Sequence, residues 1–146
     1  MNSQKTILVV EDEKNLRDAL VDTLILKNFI PLEAVNGKDG VIVALEKHPD
    51  LVLLDLIMPE MDGMMALKKI REDKWGKTVP IIILTNLSAT KERQEDALIT
   101  DKLTRYLIKS DWKIYNIVNE IEIILKYHYH ENKTANLHFG RHHSKA

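Results

Sequence analysis

The sequence predicts an α/β protein built on a doubly wound parallel sheet. Short, continuously apolar runs alternate along the chain with longer segments in which apolar residues recur every three or four positions. A continuous apolar run is typical of a strand covered on both faces, and the longer spacing is typical of an amphipathic helix. Acidic residues follow two of the runs, where open α/β sheets place their ligand sites. We therefore expect five strands and five helices in alternation.

The predicted strands are the apolar runs, of which the second is the weakest: Ile7–Val10, Ile30–Val35, Leu51–Leu54, Ile81–Leu84 and Tyr106–Ile108. Parallel strands joined by helices need right-handed crossovers. We expect the order 2-1-3-4-5, which puts the first and third strands side by side at the point where the winding reverses.

The predicted helices follow the strands in order, and the fourth is the least regular: Asn15–Lys27, Lys38–Lys47, Gly63–Glu72, Thr90–Lys102 and Trp112–Tyr127. In the fifth helix Ile114, Ile117 and Ile121 share one side. Ser110 or Asp111 is placed to cap this helix.

Composition indicates one soluble domain. The 146 residues carry 21 basic and 22 acidic side chains, so no global field attracts nucleic acid or membranes. There is no cysteine, no signal-peptide pattern after Met1 and no apolar stretch of about 20 residues. We expect a cytoplasmic protein with no direct nucleic-acid binding and no membrane insertion.

The folded domain is predicted to span residues 1–127. Residues 128–146 lose the helical period and contain five of the six histidines, which predicts a flexible tail.

Asp55 is the most informative residue, because nothing in its local sequence neutralises its charge. It follows the third strand, and the pair Glu11-Asp12 follows the first. The carboxyl ends of neighbouring parallel strands meet at one edge, so three carboxylates are expected to converge. Like charges this close need a cation, and Mg²⁺ prefers such oxygen ligands.

Residues at four successive strand ends resemble the receiver domain of bacterial two-component response regulators. The resemblance covers about Lys5 to Tyr127 and implies a flavodoxin-like fold and a stand-alone, single-domain regulator. The matching pieces are Glu11-Asp12, Asp55 with Met58-Pro59 and Asp62-Gly63, Thr85, and Lys109.

The resemblance implies that Asp55 accepts a phosphoryl group from a phosphohistidine on a sensor histidine kinase or a histidine phosphotransfer protein. Asp12, Asp55 and the backbone carbonyl of Ile57 would bind Mg²⁺, with Glu11 acting mostly through water. The protein would then be a signalling protein that catalyses its own phosphotransfer, rather than an enzyme.

The resemblance also implies a switch. Lys109 and Thr85 would bind the phosphoryl oxygens, and Tyr106 would turn inward as Thr85 moves. A downstream protein would read the change on the face formed by the fourth helix, fifth strand and fifth helix. The apolar Ile57 and Leu87 flank the path of the hydrolytic water in such domains, which predicts a long-lived phosphorylated form.

Departures from the family pattern keep other functions open. Asn86 stands where the family usually has Ala or Gly, and Ser110 replaces the usual proline, which leaves open whether the Lys109–Ser110 peptide is cis. The segment Asp101–Arg105 lacks the usual small residues. These changes allow a receiver-like interaction module that is never phosphorylated. A haloacid-dehalogenase-type phosphatase is a weaker alternative, because Ile57 occupies the position of that family's second Asp.

Overall fold

A computed structural model describes residues 3–58, 60–85 and 103–128. Its sheet contains five parallel strands: β1 Thr6–Val10, β2 Ile30–Ala34, β3 Leu51–Asp55, β4 Ile81–Thr85 and β5 Thr104–Ile108. Their order is β2-β1-β3-β4-β5, which confirms the predicted topology. The first and third strands therefore lie side by side at the centre of the sheet.

Three helices follow the first three strands: α1 Lys14–Leu26, α2 Gly37–Lys47 and α3 Gly63–Glu72. Each begins within one residue of its predicted start. The last described helix spans 114–128, one residue past the predicted end of the domain. The predicted fourth helix at Thr90–Lys102 lies outside the described residues, as do Asn86, Leu87 and the tail beyond residue 128.

The predicted start of the last helix was wrong. Ser110 and Asp111 belong to a short 3₁₀ turn, Lys109–Asp111, and do not cap the helix. The backbone N–H of Ile117 donates to the carbonyl of Lys113 at 3.0 Å, so α-helical pairing starts after this turn. No cis peptide occurs in the described residues, so the Lys109–Ser110 bond is trans. With serine in place of proline, the chain leaves β5 through the 3₁₀ turn.

The core has two layers because successive strand side chains point to opposite faces of the sheet. Leu8, Leu54 and Ile83 pack with α2 and α3 on one face, and Val9, Leu53 and Ile82 pack with α1 and the 114–128 helix on the other. Every residue of β3 and β4 is buried. This explains why these two segments are continuously apolar in the sequence up to Asp55 and Thr85.

The β2 strand forms one edge of the sheet and pairs with β1. The N–H of Ile30 donates to the Lys5 carbonyl at 2.9 Å, and the N–H of Glu11 donates to the Ala34 carbonyl at 3.0 Å. The second of these bonds continues the β1–β2 ladder one residue beyond the end of β1. It therefore ties the first acidic residue of the β1–α1 loop to the sheet.

Candidate functional site

Three carboxylates meet at the carboxyl edge of the sheet, as the sequence predicted. Val10 of β1 is in register with Leu54 of β3, so Glu11 and Asp55 leave the sheet side by side. Glu11, Asp12 and Asp55 each offer a carboxylate oxygen, and these oxygens lie within 4.8 Å of one another. An arrangement of this size can surround a single cation.

The three acidic residues differ in exposure. Glu11 and Asp55 are buried, at 1% and 5% of their full exposure, whereas Asp12 is exposed. Two carboxylates are thus removed from water and one reaches solvent. Because an isolated buried charge is strongly unfavourable, the two buried groups need a counter-charge.

Lys109 supplies a counter-charge from the far end of the chain. Its Nζ lies 3.1 Å from Glu11 Oε1 and 3.2 Å from Asp55 Oδ2. The register Thr85↔Ile108 places Lys109 just beyond the end of β5, at the same edge as the acidic residues. Among the described residues Lys109 is the cation that pairs with these carboxylates, and one ammonium against three acidic groups leaves an excess of negative charge.

The electrostatics of the site are most visible at Glu11. Burial and then the charge of Asp55 raise the pKa of Glu11 from 4.5 to about 7, against the opposing effects of the Glu13 N–H and Lys109. Burial alone would lower the pKa of Lys109, but Asp55 and Glu11 outweigh it and raise that pKa. The lysine therefore stays charged beside the two buried carboxylates.

Glu11 also has an incompletely satisfied oxygen. Its Oε2 accepts a hydrogen bond from the Glu13 N–H at 3.2 Å. Its Oε1 is buried and has no hydrogen bond of good geometry within the described chain, although Lys109 is at ion-pair distance. A buried carboxylate oxygen with spare lone pairs is suited to a metal ion or a metal-bound water.

Gly63 was not singled out by the sequence reasoning as a residue that positions Asp55. A Cβ atom at Gly63 would lie 2.4 Å from the carbonyl oxygen of Asp55 and 2.8 Å from the Cα of Leu56. The Gly63 N–H donates to the Leu56 carbonyl at 2.7 Å, and Asp62 caps α3 through the Met65 N–H at 2.9 Å. The adjacent Asp-Gly in the sequence was the available signal, since a cap followed by a residue without a side chain allows this close approach.

Three of the other predicted site residues, Thr85, Tyr106 and Ile57, are described by the structure. Thr85 ends β4 and is buried, in the strand next to that of Asp55. Tyr106 is half-buried, and its hydroxyl donates to Met64 Sδ at 3.4 Å. The Ile57 side chain is 57% exposed beside the site, and Leu87 lies outside the described residues. Their roles as switch and hydrolysis-gating residues stay predictions.

The family model for the response regulator receiver domain matches residues 7–122. The chain belongs to this family. Receiver domains are signalling modules of two-component systems, and the acidic site of this one is of the kind that serves metal binding and phosphorylation in the family.

Curated relatives include whole proteins of several sizes. Histidine kinase P4 of Formosa agariphila is 40% identical over 86 residues, which are 59% of this chain and 6% of the kinase. Protein PilH of Pseudomonas aeruginosa is 34% identical over 90 residues, which are 62% of this chain and 71% of PilH. A probable transcriptional regulator of Porphyra purpurea is 35% identical, with 37% of its length covered. The matched region thus spans well under half of two of these relatives and 71% of PilH.

Solved structures share the fold. A CheY-like receiver domain protein from Methanospirillum hungatei superimposes with a TM-score of 0.79 at 22% identity, over 88% of this chain and 99% of that one. The receiver domain of a sensor histidine kinase from Pseudomonas aeruginosa has a TM-score of 0.69 at 26% identity, over 86% and 97%. That structure has a magnesium ion coordinated in its active-site cleft. Among the described residues of the present chain, no helix is long and apolar enough to cross a membrane.

Proposed function

We propose that this receiver domain accepts a phosphoryl group on Asp55 from a phosphohistidine of a sensor histidine kinase or a histidine phosphotransfer protein. The observation that carries the proposal is the convergence of Glu11, Asp12 and Asp55 within 4.8 Å, with Lys109 Nζ at 3.2 Å from Asp55 Oδ2. A carboxylate nucleophile, a cation site and a fixed positive charge are the parts that phosphoryl transfer requires.

The residues present fit Mg²⁺. The donor set is made of carboxylate oxygens, one of which, Glu11 Oε1, is buried without a hydrogen bond of good geometry in the described chain. Asp12 and Asp55 would bind the ion directly, Glu11 mostly through water, and the Ile57 backbone carbonyl would complete the protein ligands. When bound, Mg²⁺ neutralises charge on the transferring phosphoryl group.

Asp55 acts as the nucleophile in this mechanism. A P–O bond to its carboxylate forms as the P–N bond of the donor breaks, and the departing imidazole nitrogen takes a proton from solvent. The Lys109 ammonium pairs with the free Asp55 carboxylate, at 3.2 Å from Oδ2. After transfer it would bind the phosphoryl oxygens from nearly the same position. The neighbouring Thr85 hydroxyl would donate to another phosphoryl oxygen.

The signal would leave the site through β4 and β5. We assign the switch to Thr85 and Tyr106. In the present packing the Tyr106 hydroxyl donates a hydrogen bond to Met64 Sδ on α3. Turning Tyr106 inward requires this bond to break, so phosphorylation would shift the population between two packings. A downstream protein would read the change on the face that includes β5 and the 114–128 helix, in the cytoplasm.

The test is labelling with a small phosphodonor. The protein is incubated with acetyl phosphate and Mg²⁺, and the gain of one phosphoryl group is followed by intact mass. Wild type should be labelled, Asp55→Asn should not, and Glu60→Gln, which removes an exposed carboxylate from the same loop, should behave as wild type. An unlabelled wild type would refute the proposal and favour a receiver-like module that is not phosphorylated.

A further inference from the structure

Arg17 lies in the first turn of α1 and reaches back over the β1–α1 loop. Its Nη1 donates to the carbonyl oxygen of Glu11 at 2.9 Å and lies 3.5 Å from that of Asp12. Its Nε is paired with Glu33 Oε1 of β2 at 3.3 Å, and the Arg17 side chain is only 14% exposed. The guanidinium thus links the backbone of both acidic residues to the edge strand.

The position of Arg17 is unfavourable for the helix itself. A cation near a helix N-terminus opposes the helix dipole. At the start of α1 the Glu13 side chain makes no cap and the first turn has no acidic residue, and the Glu13 N–H donates instead to Glu11 Oε2 at 3.2 Å. By contrast, Asn36 caps α2 through a side-chain hydrogen bond. The contacts of Arg17 with the loop, rather than helix formation, account for an arginine here.

Arg17 contacts the backbone carbonyls of Glu11 and Asp12 and does not pair with their carboxylates. Within the described residues it forms no ion pair with Glu11, Asp12 or Asp55, and its ionic partner is Glu33. An arginine paired directly with these carboxylates would compete with a bound cation. Together with the Glu11 N–H bond to Ala34, the Arg17 bond fixes the Glu11 backbone on both its donor and acceptor sides.

We propose that Arg17 is a positioning residue for the divalent cation site. It holds the Glu11-Asp12 backbone so that both carboxylates converge on Asp55 before the ion arrives. Outer-shell residues that orient metal ligands in this way commonly contribute roughly tenfold or more to metal affinity. This inference rests on the proposed function, since it requires that the acidic site binds Mg²⁺.

The sign of the effect separates positioning from simple electrostatics. Removing a positive charge near an acidic site should strengthen cation binding if only charge matters. If Arg17 positions the ligands, Arg17→Met should instead weaken Mg²⁺ binding by roughly tenfold. Lys14→Met is the matched control, because Lys14 is in the same helical turn but is exposed and paired with Asp18 at 2.6 Å. It removes the same charge without touching the loop.

The experiment is an Mg²⁺ titration of the full chain followed by NMR of backbone amides, with thermal melts of the metal-free variants. We expect weaker binding and shifted metal-free amide signals at Asp12 and Glu13 in Arg17→Met, with partial recovery in Arg17→Lys, whose ammonium can still reach one carbonyl. Lys14→Met should bind as wild type or slightly more tightly.

Equal or tighter Mg²⁺ binding by a folded Arg17→Met would overturn the inference. If Arg17→Met does not fold, Arg17→Lys and Glu33→Gln decide: both should bind more weakly than wild type, and wild-type affinity in both overturns the inference. A wild type that binds no Mg²⁺ defeats the proposed function instead, so the two failures are distinguishable.

Discussion

Replacing Glu11 with Gln should change how the stability of the metal-free protein depends on pH. Glu11 is 1% exposed, and burial and the nearby Asp55 charge raise its pKa from 4.5 to about 7. Between these two values the folded state binds a proton that the unfolded state has lost. The contribution of Glu11 to stability is therefore complete below about pH 4.5 and is lost as the pH rises through about 7.

The magnitude follows from the size of the shift. One pKa unit corresponds to about 1.4 kcal/mol, so the shift at Glu11 corresponds to roughly 3 kcal/mol. Glutamine resembles the protonated carboxyl group and does not titrate. Glu11→Gln should therefore gain roughly 3 kcal/mol in unfolding free energy relative to wild type between pH 4.5 and pH 8.

Urea unfolding at closely spaced pH values, without Mg²⁺, measures this difference. Glu13→Gln is the control, since Glu13 is an exposed carboxylate two residues away and should give a much flatter difference. Asp55→Asn should move the midpoint of the wild-type effect to lower pH, because the Asp55 charge is one cause of the shift. A Glu11→Gln difference that stays constant or shrinks with rising pH would refute the reasoning.

Three further predictions concern the same edge of the sheet. Asp12→Asn should weaken Mg²⁺ binding in calorimetric titration, and unchanged affinity would exclude Asp12 as a ligand. Gly63→Ala should destabilise the fold by about 1–3 kcal/mol in urea unfolding, because its Cβ would lie 2.4 Å from the Asp55 carbonyl oxygen; wild-type stability would show that the loop relaxes freely. Ile57→Asn combined with Leu87→Glu should speed hydrolysis of the Asp55 phosphoryl group, by tenfold if the activation free energy falls by about 1.4 kcal/mol. An unchanged or slower decay would exclude these two residues as controls on the access of water.

The fold and the acidic cluster could be predicted because their signals are local. Strands buried on both faces must be continuously apolar, and parallel strands must bring their carboxyl ends to one edge. The interruption of such a run by Asp55, and of another by Glu11, was therefore enough to place both residues. The strand order was predicted from right-handed crossovers together with the known doubly wound order 2-1-3-4-5.

The sequence did not predict which of two neighbouring residues is buried and which is exposed. Glu11 and Asp12 are adjacent, yet one is buried and raised in pKa and the other is exposed. The ion pair of Lys109 with Glu11 joins residues almost a hundred positions apart, so no local pattern indicates it. Arg17 resembles any polar helical residue in sequence, because its backward reach depends on the loop geometry. The start of the last helix was misplaced because a 3₁₀ turn has no clear apolar period.

The hydrogen bonding of β2 to β1 also bears on solubility. Ile30 and Ala34 direct their backbone groups towards β1, so by alternation the backbone nitrogen of Pro31 faces outward, along the open edge of the sheet. Proline has no N–H, so of the two outward-facing positions of β2, Pro31 and Glu33, only Glu33 offers a donor to an added strand. Pro31 therefore disfavours edge-to-edge association of two copies through β2, and it removes no hydrogen bond between β1 and β2.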